Sequence, residues 1–459
     1  VSGDEIGVSW IDLSAGQPWT QAVSAGELGS ALARLDPAEI LVSQPLVEKP
    51  ELFEALSFWR DKLVPQPKSR FDGENARRRV QDAYGVRELA ALGDFSRTEI
   101  AALGALLDYV ELTQKSDLKH LARPRKLGLA QSVVIDPATR RSLELTHTLS
   151  GERQGSLLAT IDRTMTGAGA RLLAARLTAP LMDVAVINNR LDAVGFMAMA
   201  AELRGRLRSA LRQSPDLERA LARLSLNRGG PRDLASIRDA LRQAENMRGE
   251  LLGIEAGKIP EELRNAAEAL GEHHALTDRL ERALAADLPL LARDGNFIAR
   301  GYAPHLDELV MLRDDSRQLI AGLQQKYSAA SGAANLKIRH NNVIGYYVEV
   351  TPTQADKLLA QKDLFIHRQS LASAARFTTV ELGELERKIT EAADKALAVE
   401  LQLFADLAGE VMLRLPELRR AAEAMAALDV VTSLAELAVE QSYARPEIDE
   451  TLAFDIRGG

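Results

Sequence analysis

Apolar and polar positions change rhythm several times along the chain. Glu5 to Leu13 (EIGVSWIDL) is apolar and β-branched, and Ser14-Ala15-Gly16-Gln17 supplies turn chemistry before a second short apolar run, Trp19 to Val23. Leu28, Leu32 and Leu35 then recur at helical spacing, which predicts a helix over 25–35 that Asp36-Pro37 stops. Glu39 to Ser43 (EILVS) returns to strand. A hairpin, a helix and a strand in that order predict a small mixed sheet. A Pro-rich stretch, Leu63 to Lys68, and a charged stretch, Arg70 to Arg79, follow, with helical periodicity taking over near Arg87. The first boundary falls near residue 115, at Lys115-Ser116-Asp117.

Asp136 to Arg141 (DPATRR) reads as a turn leading into Leu143 and Leu145. After it the spacing is helical, punctuated at Pro180, Pro215, Gly229-Gly230-Pro231, Pro260 and Pro304, without a recurring period of 20–50 residues. Leu306, Leu309, Arg313, Ser316, Ile320, Leu323 and Tyr327 mark one amphipathic helix with two polar interruptions. Leu382, Leu385, Ile389, Ala392, Ala396, Val399, Leu403, Leu407 and Val411 form a nearly unbroken seam. A helix from Val380 to Leu413 spans about 50 Å and, held by one narrow stripe, needs a partner helix along its length. Its Ala-rich seam favours a pair within the chain over an intermolecular coiled coil. Between these helices the rhythm becomes β: Asn335 to His340 alternates apolar and basic residues, Asn341-Asn342 offers a turn, Val343 to Val350 (VIGYYVEV) is β-branched and aromatic, and Phe365 to Phe377 continues the sheet. The pattern predicts a β module inserted at the tip of an antiparallel helical arm.

Composition narrows the function. Ala, Leu, Arg and Glu dominate from about residue 95, so the chain is mainly helical. The chain has no cysteine, which excludes disulfides, thiolate catalysis and Cys-based zinc sites. No apolar run approaches the roughly 18 residues of a membrane span, and no targeting pattern opens the chain. It begins with Val1 rather than Met, which predicts an excerpt or a processed product. A net charge of −8 excludes a protein coated in nucleic-acid-binding surface, so any such site is a local basic patch.

The inserted module is that patch. Between Ser331 and Phe377 the cations Lys337, Arg339, Lys357, Lys362, Arg368 and Arg376 face only Glu349, Asp356 and Asp363 in sequence, and His340 and His367 add hydrogen-bonding capacity. Strand alternation puts Lys337 and Arg339 on one face, opposite Leu336 and Ile338. Such a face suits phosphate contacts, which give affinity without reading sequence; solvating charges on a small exposed sheet produce the same pattern. Tyr346 and Tyr347 are candidates for stacking on bases, but alternation assigns at least one to the core. Arg204 to Arg212 and Arg219 to Arg228, interleaved with Glu and Leu, read as solvated helix faces rather than DNA-binding stripes.

Little points to catalysis. The G-x-x-x-x-G-K-[ST] phosphate loop is absent, and Ser150 to Gly155 reads as an ordinary loop. Asp12 in the first strand sits where ribonuclease H-type nucleases place a metal-binding Asp, but two-metal hydrolysis needs several convergent carboxylates and the neighbouring strand offers only Glu39 at its edge. Adjacent His273 and His274 face different sides of a helix, and no metal site emerges.

Several stretches taken together resemble the MutS family of bacterial DNA mismatch-repair proteins, across nearly the whole chain. They are Asp136 to Leu145 (DPATRRSLEL); Ile161 to Thr164 with Gly169-Ala170-Arg171-Leu172-Leu173; Pro180-Leu181; Arg190 to Val194; Asp216 to Leu226 with Pro231 to Leu234; and, in the module, Asn335-Leu336-Lys337, Gly345-Tyr346-Tyr347, Arg368-Gln369 and Arg376-Phe377. The resemblance implies a mainly α chain with α/β and small β parts. Residues 1–115 are similar to a connector with a ribonuclease H-like fold lacking its catalysis; 116–332 to the helical core and first lever; 333–379 to a β clamp that grips duplex DNA; 380–444 to the second lever; and 445–459 to the approach to an ATPase domain. It implies DNA backbone contact through Lys337, Arg339, Lys362, His367, Arg368, Ser373 and Arg376. Ala372-Ser373 stands where the family commonly has Lys-Asn, which shifts phosphate contact toward Arg339, Lys362 and Arg368. Gly167-Ala168 replaces a commoner Pro-Met pair. The resemblance further implies mismatched duplex DNA and a MutL-like protein as partners, a homodimer in the full-length form, and a cytoplasmic, nucleoid-associated location. By the same resemblance ATP and Mg are expected to belong to a further domain of the family's full-length proteins, and no catalytic, cofactor or metal residues are expected in this chain. Two other readings remain: a ribonuclease H-like nuclease resting on Asp12, and a coiled-coil scaffold resting on the 382–411 seam.

Overall fold

The computed structural model describes residues 1–114, 121–128, 132–255, 257–314, 316–341 and 344–457. The boundary expected at Lys115 to Asp117, and Asn342 and Val343 of the expected turn and strand, lie outside the described residues, as do the side chains of Arg313 and Ser316. Two compact units emerge, Val1–Glu281 with Ala408–Gly459, and Arg282–Leu407.

In the first unit the expected hairpin forms. β1 (Glu5–Asp12) pairs antiparallel with β2 (Gln17–Ser24), from Glu5 opposite Ser24 to Asp12 opposite Gln17. Helix α1 (Ala25–Leu35) follows and ends at Asp36 in the left-handed conformation. β3 (Ile40–Ser43) does not join the hairpin. It pairs in parallel with β4 (Leu63–Gln66), a strand inside the Pro-rich stretch. Pro65 fits there because a two-stranded ladder leaves one side of each strand free of hydrogen-bonding duty. Both ladders still share one core, built from Ile6, Val23, Leu28, Leu32, Val42, Leu52, Leu56 and Trp59.

Helices also begin earlier than periodicity predicts. α2 (Gly73–Tyr84) starts within the charged stretch, where the Asp72 carboxylate accepts the Asn75 N–H at 3.0 Å. Its only fully buried positions are Ala76 and Val80, too few to show as a stripe. α2 packs on α3 (Arg97–Gln114) where Gly104 lies against Ala76 so closely that a Cβ would stand 2.5 Å from it. β5 (Arg125–Lys126) then adds to β2 in parallel, making the mixed sheet. The turn expected at Asp136 is a short helix, α4 (Pro137–Ser142). Asp136 caps it by accepting the N–H groups of Ala138 and Thr139, and Pro137 occupies the first turn, where no N–H is needed.

Further helices of this unit include α5 (Gly167–Thr178), α6 (Val184–Met199), α7 (Ala201–Gln213), α8 (Leu217–Ser225), α9 (Pro231–Leu252), α10 (Glu261–Leu270) and α11 (His274–Ala283). His273 precedes α11 rather than sitting on it. Its backbone N–H donates to Glu245, the carboxylate that also meets His274 Nδ1 at 2.9 Å, while its own ring Nε2 lies 3.0 Å from the Leu270 carbonyl. The arginines of α7 and α8 are solvent-facing as expected at Arg206, Arg212, Arg219 and Arg223, with Arg206 paired to Glu250 and Arg223 to Asp233 at 2.9 Å each. Arg204 departs from that expectation: it is buried, with Nε on Glu436 at 2.8 Å and Nη1 on the carbonyls of Met197 and Ala198.

The second unit holds α12 (Pro304–Asp314), α13 (Ser316–Ser331), a four-stranded sheet with one helix, α14 (Pro352–Leu359), and most of α15 (Val380–Leu413). α15 has the 34 residues its seam predicted, about 50 Å of helix. Leu382, Ala392, Ala396, Leu407 and Val411 are buried and the rest of the seam half-buried by this chain alone, so the stripe is satisfied within the chain. On the next turn of α15, Glu400 is buried and accepts the N–H groups of Asn296 at 2.7 Å, Phe297 at 3.2 Å and Ile298 at 3.4 Å. α16 (Leu415–Glu440) follows in the first unit and packs on α5 through α10. Its Asp429 is fully buried and accepts the N–H groups of Met165 and Thr166 at 2.8 Å each and the Thr166 hydroxyl at 2.6 Å. Among the described residues no helix is long and apolar enough to cross a membrane.

Candidate nucleic-acid interface

The inserted module is built on β6 (Lys337–Asn341), β7 (Gly345–Val350), β8 (Ile366–Ser370) and β9 (Ala375–Thr378), in the order β6-β7-β9-β8, all antiparallel. Alternation divides its faces as the residue pattern demands. Ile338, Tyr346, Val348, Val350, Ala375 and Phe377 point inward, over Tyr327 of α13, Leu358 of α14, Phe365 and Leu382 of α15. Phe365 is the centre of this core, its ring edge-on to Tyr327 at 5.7 Å and to Phe377 at 6.4 Å. The neck is tied by hydrogen bonds. The Tyr327 hydroxyl lies 2.7 Å from Thr379 Oγ1, which accepts the Leu382 N–H and so caps α15. Burial pushes the Tyr327 pKa up, which keeps its proton available for donation.

The outer face carries the charge. Lys337 lies across from Glu349, Arg339 across from Tyr347, Glu349 across from Arg376, and Arg376 across from Gln369. Glu349 therefore meets two cations, Arg339 at 3.2 Å and Arg376 at 3.3 Å. Arg376 also donates to Gln369 at 3.0 Å and lies 4.6 Å over the Tyr347 ring. Three cations against one carboxylate leave this face positive. The split of the tyrosines follows: Tyr346 packs on the core, and Tyr347 lies beneath Arg376 instead of standing open to bases.

Of the seven residues singled out from sequence, Lys337, Arg339 and Arg376 come together on this face. Arg368 occupies a register shift between His367 and Gln369, the extra residue of a β-bulge on the fully exposed edge strand. Ser373 is exposed in the turn between β8 and β9, where the Leu371 N–H donates to the Ala374 carbonyl at 2.8 Å. His367 belongs to the other side: its ring lies 5.4 Å from Phe377 and its Nε2 is 2.9 Å from Ser370 Oγ. Lys362 is exposed on the connection from α14 to β8, beside Gln361, whose side chain donates to the Ala330 carbonyl. Gln369 was not singled out from sequence, and Glu349 and Tyr347 were noted there only as a charge and a stacking candidate, not as partners of Arg339 and Arg376. Their role depends on which residues stand opposite, and the register was not readable without the length of the 341–345 turn.

Asp12 has an ordinary duty. Its carboxylate accepts the Ser14 N–H at 2.8 Å and its carbonyl the Gly16 N–H at 2.8 Å, so it shapes the β1–β2 turn. Among the described residues no three His, Asp or Glu side chains are grouped to hold a metal.

Comparison with known families matches residues 138–435 to MutS domain III and residues 1–122 to MutS domain II. The chain belongs to the MutS family. Among its curated relatives, the DNA mismatch repair protein MutS of Rhodopseudomonas palustris (strain HaA2) is 48% identical over 99% of this chain and 50% of its own length. Those of Nitrobacter winogradskyi and Dinoroseobacter shibae are each 45% identical over 99% of this chain and 51% of their own lengths. The chain spans about half the length of the curated MutS relatives it matches. The β module lies within the MutS domain III match, and the β1–β2 hairpin within the domain II match. The nuclease reading of Asp12 finds no support in either match.

Proposed function

We propose that this MutS chain is the gripping and relaying part of a DNA mismatch-repair protein. In this reading residues 333–379 form a clamp that holds the backbone of duplex DNA without regard to sequence. Residues 1–115 serve as connector, 116–332 and 380–444 as core and levers, and 445–459 as the approach to an ATPase domain that binds ATP and Mg. The observation that carries the reading is the outer face of the four-stranded sheet, a cluster of cations on a rigid core in an otherwise acidic chain. Phosphate contact falls to Lys337, Arg339, Lys362, Arg368 and Ser373, which are exposed. The relatives' shared designation as DNA mismatch repair proteins supplies the substrate, and a MutL-like protein, a homodimer and a cytoplasmic location complete the proposal. α15 suits a lever because a long packed helix passes displacement along its length.

The test is a salt titration of binding to labelled duplex, with matched and mismatched versions side by side. Weak binding that falls steeply with salt and ignores the mismatch is the expected result. Preference for the mismatch would place the reader of the mispair inside these residues and sink the assignment. Equal cross-linking of the module with and without nucleotide in the whole protein would sink the relay.

A further inference from the structure

Among the described residues of the four strands the outer face carries one acid, Glu349, and its placement is not that of a stray surface charge. Glu349 stands between Lys337 and Arg376 in the cross-strand row, and its two oxygens are divided between Arg339 and Arg376. The two arginines differ. Arg376 has its Nε on Glu349 and its Nη1 on Gln369, lies 4.6 Å over the Tyr347 ring, and exposes only 21% of its side chain. Arg339 exposes 56% of its side chain and is held to the face by Glu349 through Nε, leaving the outer edge of its guanidinium toward solvent. One cation is thus fixed and the other tethered.

We propose that Glu349 is a built-in competitor for phosphate: it occupies Arg339 in the free protein and repels the incoming backbone, so that the clamp's hold on any duplex stays weak and salt-labile. Arg376 is then a positioning residue, pinned by Gln369 and Tyr347 so that it holds Glu349 under Arg339. The inference rests on the reading of this module as the DNA-gripping part. Its logic is that of specificity as a difference of affinities. A backbone grip that is too strong holds every duplex equally, and a fixed negative charge within the grip lowers that sequence-independent term without removing the cations that make it.

The test uses the whole protein carrying this chain and a perfectly paired duplex, with affinity measured against salt for the parent, R339A, E349Q and E349Q/R339A. Gln keeps the size of the side chain and an oxygen to accept from Arg376, so thermal melting should change little. If E349Q melts early, Glu349→Thr, a residue suited to strands, replaces it. E349Q is expected to bind about three- to ten-fold more tightly at low salt, the effect of removing one unit charge near a phosphate, with a steeper salt dependence. R339A is expected to weaken binding, and the gain from E349Q should shrink in the double variant, because Glu349 acts through Arg339. Unchanged or weaker binding by a normally melting E349Q overturns the competition, as does a gain that persists undiminished in the double variant. If R339A and K337A both leave DNA binding untouched, the clamp reading itself has failed.

Discussion

Asp429 and Glu349 are carboxylates on opposite terms with their surroundings. Asp429 is fully buried and its partners are mostly backbone: the N–H groups of Met165 and Thr166, with the Thr166 hydroxyl. Glu349 is half-buried, with 17% of its side chain exposed, and its partners are two arginine side chains. A backbone N–H cannot turn away without unmaking the fold, so Asp429 fixes the 163–169 segment against α16. A guanidinium on a long stem can leave, so Glu349 sets the strength of a field rather than a shape. Glu400, buried and holding three backbone N–H groups, sides with Asp429. The same functional group thus serves architecture where its donors are main-chain and modulation where they are side-chain.

The largest expected effect is at Asp429. Asp429→Ala strands buried donors and should cost about 3 kcal/mol or more, read as a lowered urea midpoint. A loss under about 1 kcal/mol would break the comparison. Glu400→Ala should cost about 2 kcal/mol by the same mechanism, and hydrogen exchange should rise first at Asn296 to Ile298, the amides it holds. Lys337→Ala sharpens the other side. It should leave the urea midpoint within about 0.5 kcal/mol of the parent while reducing the salt slope of DNA binding by about one.

The smallest effect is a pH dependence. Burial raises the Asp429 carboxyl above the ordinary range, against the hydrogen bonds from Thr166 and Met165 that lower it. Between the ordinary value and the raised one the folded chain holds a proton that the unfolded chain has released, so this group's contribution falls as pH rises through that window. Stability measured against pH should therefore decline less steeply there in Asp429→Asn than in the parent. An identical slope in both would mean that other groups govern the acid limb.

Much of this was legible along the chain. The 382–411 seam gave the bounds of α15, the 335–340 alternation gave the two faces of β6, and Leu28, Leu32 and Leu35 gave α1, because each is a local periodicity that one element satisfies by itself. Where a local rule was outvoted, reading failed. Pro65 argued against a strand that only its pairing with Val42 makes possible. The charge of Arg70 to Arg79 hid a helix whose start depends on Asp72 as a cap, and DPATRR looked like a turn when Asp136 and Pro137 were opening α4.

The candidate site divides along the same line. The sequence by itself determined that a basic β module sits between two long helices, that Lys337 and Arg339 share a face, and that the chain resembles MutS. Periodicity, charge count and motif are all properties of neighbours in the chain. Only the tertiary structure decided that Glu349 stands between Arg339 and Arg376, that His367 turns to the inner face, that Arg368 sits on a bulge, and that Asp429 reaches Met165 and Thr166. Those facts depend on strand register and helix docking, which bring together residues as much as 264 positions apart. Register is set by which side chains pack into a shared core, and no single segment carries that information.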